Sequence, residues 1–285
     1  MRQEGRVMET TFGVAGGDRR QAILAELLRR DGYSVGTYGT GQSGEETLAA
    51  AAQADVLVLP LCREDGRFSC AGGEIEAPAL LELLRPGQTI LAGKVPAELA
   101  EAARKAGLTL IDYLANEELA VVNAVPTAEG AIQLAMEQSP VTLWNAECLV
   151  IGYGRIGKLL ASRLNGMGAR VTVSARSAAD RAWVRAYGWR AVETNRLSGQ
   201  LGGFRFVFNT VPAPVLTREN LSELPAECLC IDLASQPGVD FAAAKDIGLH
   251  TVWAKGLPGR MAPETAAAAI RDTIYHILKE RGASI

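Results

Sequence analysis

Apolar runs alternate with amphipathic stretches along this chain, and the alternation predicts strand, helix, strand in repeated order. Thr11-Phe12-Gly13-Val14-Ala15 reads as a strand that runs into the turn Gly16-Gly17-Asp18. From Arg19 to Asp31, Ile23, Leu24, Leu27 and Leu28 fall on one helical face, and Gly32 is placed to cap the C-terminus. Tyr33 to Tyr38 is a second strand. Asp55-Val56-Leu57-Val58-Leu59-Pro60, apolar after its first residue, reads as a fully buried third. Helix Ala77 to Leu84, strand Thr89 to Ala92, helix Ala97 to Ala106 and strand Thr109 to Ile111 continue the pattern. Residues 1–118 therefore read as one doubly wound domain.

Ala120 to Glu137 is mostly small and apolar. Within it, Asn123-Ala124-Val125-Pro126-Thr127 predicts a turn, with Thr127 capping a helix that contains Gly130 and ends at Ser139-Pro140. Residues 119–142 are expected to form an interdomain helix. A second unit then begins with strand Cys148 to Ile151, the glycine turn Gly152 to Gly157, helix Lys158 to Leu164 and strand Val171 to Ala175. Phe206 to Thr210, Cys228 to Asp232 and Thr251 to Trp253 are later strands of this domain, residues 143–260. Pro263 to Lys279 is an amphipathic helix, and 261–285 are expected to pack on the first domain. The predicted class is α/β, with two doubly wound Rossmann-like domains and the C-terminal helix returning to the first.

The glycine turn Gly152-Tyr153-Gly154-Arg155-Ile156-Gly157 has the context that gives GxGxxG its meaning: strand before, helix after, second strand about 20 residues on. The first glycine permits the tight turn, the second lets backbone approach a pyrophosphate, and the third lets helix and strand pack closely. At the end of the next strand, where an NAD-preferring site carries an acid for the ribose 2′-hydroxyl, the chain reads Ser174-Ala175-Arg176-Ser177. An arginine pairs with a 2′-phosphate instead, and the flanking serines can donate to it. NADP(H) is therefore expected over NAD(H), with Arg176 as a plain surface charge the alternative. Asp180 comes too late to replace the missing acid.

Ligands in open α/β sheets lie beyond the carboxyl ends of strands. That places Asn209-Thr210-Val211-Pro212 beside the cofactor, and Asp232 with the loop to Gly238 near its nicotinamide end. Gly256-Leu257-Pro258-Gly259-Arg260 reads as a connector shaped for close approach, with Arg260 able to clamp an anion. Arg19 and Arg20 oppose the dipole of the helix they start, which is easier to understand if one meets a carboxylate.

Composition narrows the function classes. The chain has 285 residues, 48% hydrophobic and 21% charged, with net charge -3. No field draws it to nucleic acid or an anionic membrane, so an anionic ligand must be held by local groups. Cys62, Cys70, Cys148, Cys228 and Cys230 fit neither a zinc nor a CxxC spacing, and an odd number of thiols suits a reducing cytoplasm. Met1 to Thr11 lacks the apolar core of a signal peptide, and no apolar run is expected to span a membrane. His250 and His276 lie outside the glycine-bearing loops, so no catalytic histidine, general base or metal cluster is assigned.

Taken in order, Gly16-Gly17-Asp18-Arg19-Arg20-Gln21, Asn123 to Gly130, the glycine turn with Ala175-Arg176-Ser177, Asn209 to Pro212, Asp232 to Gly238, and Gly256-Leu257-Pro258-Gly259 with Ala262-Pro263 resemble the dipicolinate synthase A-subunit family over nearly the whole chain. The segments Pro126-Thr127-Ala128-Glu129-Gly130 and Gly256 to Gly259 carry most of the specificity. One departure is visible: the family often has two glycines after the proline, and here Gly238 runs straight into Val239-Asp240. Arg20 is the better match to the basic position of the first glycine turn.

The resemblance implies NADP-dependent oxidation of dihydrodipicolinate to dipicolinate in the mother-cell cytoplasm of a sporulating bacterium. It also implies a second, flavoprotein-like component, the dipicolinate synthase B-subunit, as partner, and a homo-oligomer is expected. A dicarboxylate substrate calls for two clamps. Arg20 and Arg260 are the candidates, with Thr127 and Ser235 as neutral donors and Lys94 and Lys255 in reserve. Another NADP-dependent dehydrogenase of a small carboxylate, or a non-catalytic NADP-binding component, remain the alternatives.

Overall fold

A computed structural model describes residues 10–283 and 285 of the chain. Residues 1–9, which carry most of the segment read above as no signal peptide, lie outside the described residues. The chain forms two compact units: unit 1 runs up to Asn123 and resumes over Ala262–Ile285, and unit 2 is Ala124–Met261.

Unit 1 begins with β1 (Thr11–Ala15), α1 (Arg19–Arg30), β2 (Ser34–Tyr38), α2 (Leu48–Ala51) and β3 (Val56–Leu61). It continues with β4 (Arg67–Cys70), β5 (Gly73–Glu76), α3 (Ala77–Leu81), β6 (Thr89–Gly93), α4 (Ala97–Lys105) and β7 (Thr109–Asp112). Five strands form a parallel sheet in the order β2-β1-β3-β6-β7. Asp18 starts α1 through a capping box with Gln21, and Leu24 and Leu28 on its inner face are fully buried.

The apolar pattern does not predict the hairpin β4–β5. Its strands are four residues each and largely polar, with Phe68 and Ile75 alone buried, too short a pattern to read by alternation. It crosses the carboxyl end of the sheet. Ser69 O accepts from Gly17 N at 2.6 Å, and Gly39 O accepts from Ala71 N at 2.7 Å. A side chain at Gly16, where φ is +75°, would press on Ser69 O.

Helix α5 (Glu117–Gln138) corrects the predicted turn. The backbone is helical straight through Asn123-Ala124-Val125-Pro126-Thr127, and Thr127 is an interior position rather than a cap. A proline inside a helix removes one backbone bond and crowds the preceding turn, which costs about 3 kcal/mol in isolation. Here Ala124, Ala128, Ala131 and Ala135 are all buried, and tertiary packing overrides the local preference. α5 is also long and apolar enough to cross a membrane by length and composition, contrary to the sequence expectation, but most of its apolar window is buried inside the protein.

Unit 2 contains β8 (Glu147–Ile151), α6 (Arg155–Gly166), β9 (Arg170–Ala175), α7 (Ala178–Ala186), β10 (Arg190–Glu193) and β11 (Phe206–Asn209). It ends with α8 (Arg218–Glu223), β12 (Leu229–Asp232), α9 (Phe241–Asp246), β13 (His250–Trp253) and α10 (Leu257–Met261). The sheet is parallel in the order β10-β9-β8-β11-β12-β13. One face buries Cys148, Val150, Phe206 and Phe208, the other Leu149, Ile151, Val207 and Cys230. Cover on both faces is why these strands read as unbroken apolar runs. The segment after Gly256, which reads as a connector in the sequence, is instead the short helix α10.

The last helix, α11 (Pro263–Glu280), belongs to unit 1 and packs on α1, as the amphipathic pattern predicts. Ala267, Ile270, Ile274 and Leu278 join Leu24 and Leu28 in one core. Asp31, just past α1, accepts from Tyr275 Oη at 2.8 Å and from Arg271 Nη1 at 3.4 Å. All five cysteines are free thiols.

Candidate functional site

The carboxyl end of the unit 2 sheet assembles from four strand ends. β8 leads into Gly152, whose φ is +100° and whose N–H donates to Ser174 O at 2.9 Å. A β-carbon on Gly152 would collide with Thr210 Oγ1, and one on Gly157 with Gly152 O. The protein's own packing therefore requires two of the three glycines. Gly154 differs. It is exposed, its backbone is extended (φ -82°, ψ -161°), and a β-carbon there would meet no protein atom within 4 Å. It is the N-cap of α6, and no side chain caps that helix. Open space over the first amides of a helix is the cradle a pyrophosphate fits.

The other turn residues divide in the same way. Tyr153 is buried, with Lys158 Nζ 5.3 Å from the centre of its ring. Ile156 packs against the core, and Arg155 is exposed on the first turn of α6.

At the end of β9, Arg176 is exposed and its side chain makes no ion pair or hydrogen bond with the described residues. Ser177 caps α7, its Oγ accepting from Asp180 N at 3.0 Å. Ser174 does not face this edge. It is fully buried, and its hydroxyl lies 3.2 Å from Thr194 Oγ1. Arg181, which the sequence reading misses, ties the turn down by donating from Nη1 to Ala175 O (3.0 Å) and Arg176 O (2.6 Å). A signal for it exists: an arginine in the first turn of the helix, six residues after Ala175 at the strand end.

Asn209 and Asp232 are bonded to each other and to the neighbouring backbone. Both are fully buried. Asn209 Nδ2 donates to Asp232 Oδ1 (2.8 Å) and Val211 O (3.0 Å), while its Oδ1 accepts from Val211 N (3.0 Å). Asp232 further accepts from Ala234 N (3.0 Å), Gly238 N (2.7 Å) and Val239 N (3.1 Å). With these bonds made inside the chain, the two side chains hold the edge in shape. The loop lacking a second glycine closes because Val239 N reaches Asp232, and a β-carbon on Gly238 would collide with Asn209 Nδ2. Thr210 Oγ1 donates to Ile151 O at 2.9 Å, Val211 is half-buried beside Gly152, and Pro212 is exposed.

The anion-binding candidates are spread over both units. In unit 2, Ser235 is exposed after β12 and Arg260 is exposed on α10, whereas Thr127 is buried within α5. Lys255 Nζ sits 3.3 Å from the centre of the Trp253 ring, and Trp253 Nε1 donates to Ala234 O at 3.0 Å.

In unit 1, Arg20 is not a free clamp. Its Nε donates to Asp18 Oδ1 at 2.9 Å and its Nη2 to Asp18 Oδ2 at 2.8 Å, with the Arg20 side chain 15% exposed. Burial alone would lower the pKa of the guanidinium, but the paired carboxylate more than offsets this and raises it. The helix-start arginine thus finds its carboxylate two residues away. Tyr113 beside it is fully buried, its phenol held well above the ordinary value by desolvation, and its Oη donates to Leu59 O at 3.2 Å. Among the described residues no cluster could hold a metal ion.

Comparison with known proteins falls in line with this geometry. Residues 11–114 match the family described as the N-terminal domain of the dipicolinate synthase A-subunit. The chain is 28% identical over 284 residues to the dipicolinate synthase A-subunit of Bacillus subtilis (strain 168), covering 94% of this chain and 96% of that protein. The crystal structure of the dipicolinate synthase A-subunit from Bacillus halodurans superposes with a TM-score of 0.86 at 27% identity, covering 96% of this chain and 99% of that one. A transhydrogenase from Sinorhizobium meliloti shares the fold (TM-score 0.68, 16% identity, 94% of this chain and 93% of that one).

Proposed function

Because the chain belongs to the dipicolinate synthase A-subunit family, we propose that it oxidises dihydrodipicolinate to dipicolinate with NADP+, alongside a second, flavoprotein-like component. The observation that carries the cofactor part is the pairing of Gly154, open over the uncapped start of α6, with the unpartnered Arg176 at the next strand end. Gly152 to Gly157 would hold the pyrophosphate, and Arg176 with Ser177 the 2′-phosphate. Thr210, Val211 and Pro212 would wall the site, on an edge that Asn209, Asp232 and Ser174 keep in shape.

The substrate ring loses one hydride and one proton. A nicotinamide cofactor bound at this edge supplies the hydride acceptor. The product ring is aromatic, so the step runs downhill and the main demand on the chain is to orient a dianion. Ser235 and Arg260, both exposed in unit 2, suit carboxylate oxygens, and Thr127 adds a buried hydroxyl within α5. The free thiols and the family support work in the cytoplasm of a sporulating cell.

The test is to generate dihydrodipicolinate in situ and add the purified chain with NADP+, with and without the second component. Dipicolinate and NADPH appearing in equal amounts is the expected result, and dependence on the partner divides the labour. Tight NADP binding with no dipicolinate in either mixture would overturn the reading.

A further inference from the structure

Unit 2 carries a cavity of about 310 Å³ lined by Tyr153, Lys158, Ser162, Trp183, Tyr187 and Trp189. Four of these side chains are aromatic, one is a cation, and none is an acid. Helical spacing brings them together. Lys158 and Ser162 stand one turn apart on α6, and Trp183 and Tyr187 one turn apart at the end of α7. The chain then turns at Gly188, where φ is +81°, and the amides of Gly188 and Trp189 close the helix on Arg185 O (2.9 Å) and Val184 O (3.1 Å). This turn sets the Trp189 ring beside that of Tyr187.

The three rings form a stair. The centres of Trp183 and Tyr187 are 6.1 Å apart with 29° between their planes, and those of Tyr187 and Trp189 are 5.2 Å apart with 24°. Only one end is anchored: Trp189 packs against the core, whereas Trp183 and Tyr187 are each 60% exposed. Trp189 Nε1 is buried without an acceptor, so the ring is kept for its faces at the expense of a hydrogen bond. The polar groups are uncommitted as well. Lys158 Nζ lies 5.3 Å from the centre of the Tyr153 ring and pairs with no acid among the described residues, and the Ser162 hydroxyl has no hydrogen bond to them. Asp180 acts on Tyr153 from the first turn of α7 but is not part of the lining. Exposed rings, an unpaired ammonium and a free hydroxyl around one cavity serve no purpose in the fold and point to a ligand.

We propose that this cavity binds a planar aromatic carboxylate, its ring laid against the stair of Trp183, Tyr187 and Trp189 and its carboxylate on Lys158, with Ser162 as a second donor. The rings select a flat ligand, because only a flat ring continues the stack. Lys158 decides the sign of the charge. Aromatic walls alone would also attract a cation, and an ammonium standing among them repels one. One ammonium and one hydroxyl match a single carboxylate, whereas a phosphate calls for more donors than the lining offers. The site is built from unit 2 alone and does not rest on the reaction proposed above.

The experiment titrates 2-naphthoate, a flat aromatic acid, calorimetrically onto the full chain, with naphthalene-2-carboxamide as its uncharged counterpart. The acid should bind, and the amide at least about tenfold more weakly. Trp183→Ala and Lys158→Gln should each weaken binding of the acid at least about tenfold with Tm unchanged, since both side chains are exposed. Lys158→Arg, keeping the charge, should recover most of the loss. No binding of 2-naphthoate overturns the proposal, and unchanged affinity in Trp183→Ala or Lys158→Gln does so by placing the acid elsewhere. Phenyltrimethylammonium binding more tightly than the acid would mark a cage for cations and overturn it too. A lower mass for Trp183→Ala than for the unaltered chain in sedimentation would make the exposed rings a contact between copies, with the same consequence.

Discussion

Asp18 faces Arg20 across two hydrogen bonds of 2.9 and 2.8 Å while its own Oδ1 caps α1 through Arg20 N at 3.0 Å. One carboxylate thus starts a helix and neutralises a largely buried cation. Asp18→Asn keeps a good cap but removes the charge, and should destabilise the chain by about 1 kcal/mol in urea titration, a figure reduced because Asp18 is half-exposed. Asp18→Ala, losing the cap as well, should add about another 1 kcal/mol. Burial pushes the Asp18 carboxyl up, but the hydrogen bonds and charge of Arg20 outweigh it and hold the pKa below its ordinary value. In acid the unfolded chain takes the proton first, so this contribution is intact above about pH 4 and fades as pH falls below it. In Asp18→Asn that part of the acid sensitivity should disappear.

The three glycines of the unit 2 turn should separate by phenotype. Gly157→Ala drives a β-carbon into Gly152 O and should lower Tm markedly, by a cost of roughly 1–3 kcal/mol. Gly154→Ala should leave stability within about 0.5 kcal/mol, since no protein atom is near. Its NADP affinity should nonetheless drop at least about tenfold, equivalent to about 1.4 kcal/mol. Full NADP affinity in Gly154→Ala would remove this turn as the phosphate cradle.

Arg176→Ala should leave the melting curve unchanged, because the side chain is exposed and unpartnered. Loss of a charge-assisted contact to a 2′-phosphate is worth about 1.5–3 kcal/mol, so affinity for NADP+ should fall roughly 10- to 100-fold while that for NAD+ stays put. Parallel losses for both dinucleotides would contradict a 2′-phosphate role.

Asp232→Ala should behave as a folding lesion. It leaves Asn209 Nδ2 and the amides of Ala234, Gly238 and Val239 without their buried acceptor. A loss of roughly 2–4 kcal/mol is expected by denaturant titration. A near-native stability with abolished cofactor binding would instead return Asp232 to direct ligand contact.

The strands of unit 2 are legible in the sequence because both faces of the sheet are covered, so β8, β11 and β12 read as apolar without interruption. The glycine turn is legible from its neighbours. What a sequence does not display is where polar side chains direct their hydrogen bonds. Asn209 and Asp232 at strand ends look like ligand contacts, yet neighbouring segments of the chain itself use both. Arg20 suggests a distant carboxylate while Asp18 stands two positions before it. Pro126 suggests a turn because local preference is visible in a sequence and the burial of the alanines that override it is not.

The return of α11 to unit 1 sets an order of assembly on the ribosome. Unit 2 is a single stretch and can complete its sheet as soon as Met261 has emerged. Unit 1, although synthesised first, lacks Ile270, Ile274 and Leu278 from its core until the last helix arrives. Until then the core around Leu24 and Leu28 of α1 has its sheet residues but lacks those that the last helix adds. Unit 2 can therefore complete its core before unit 1 completes its own, against the usual N-to-C order.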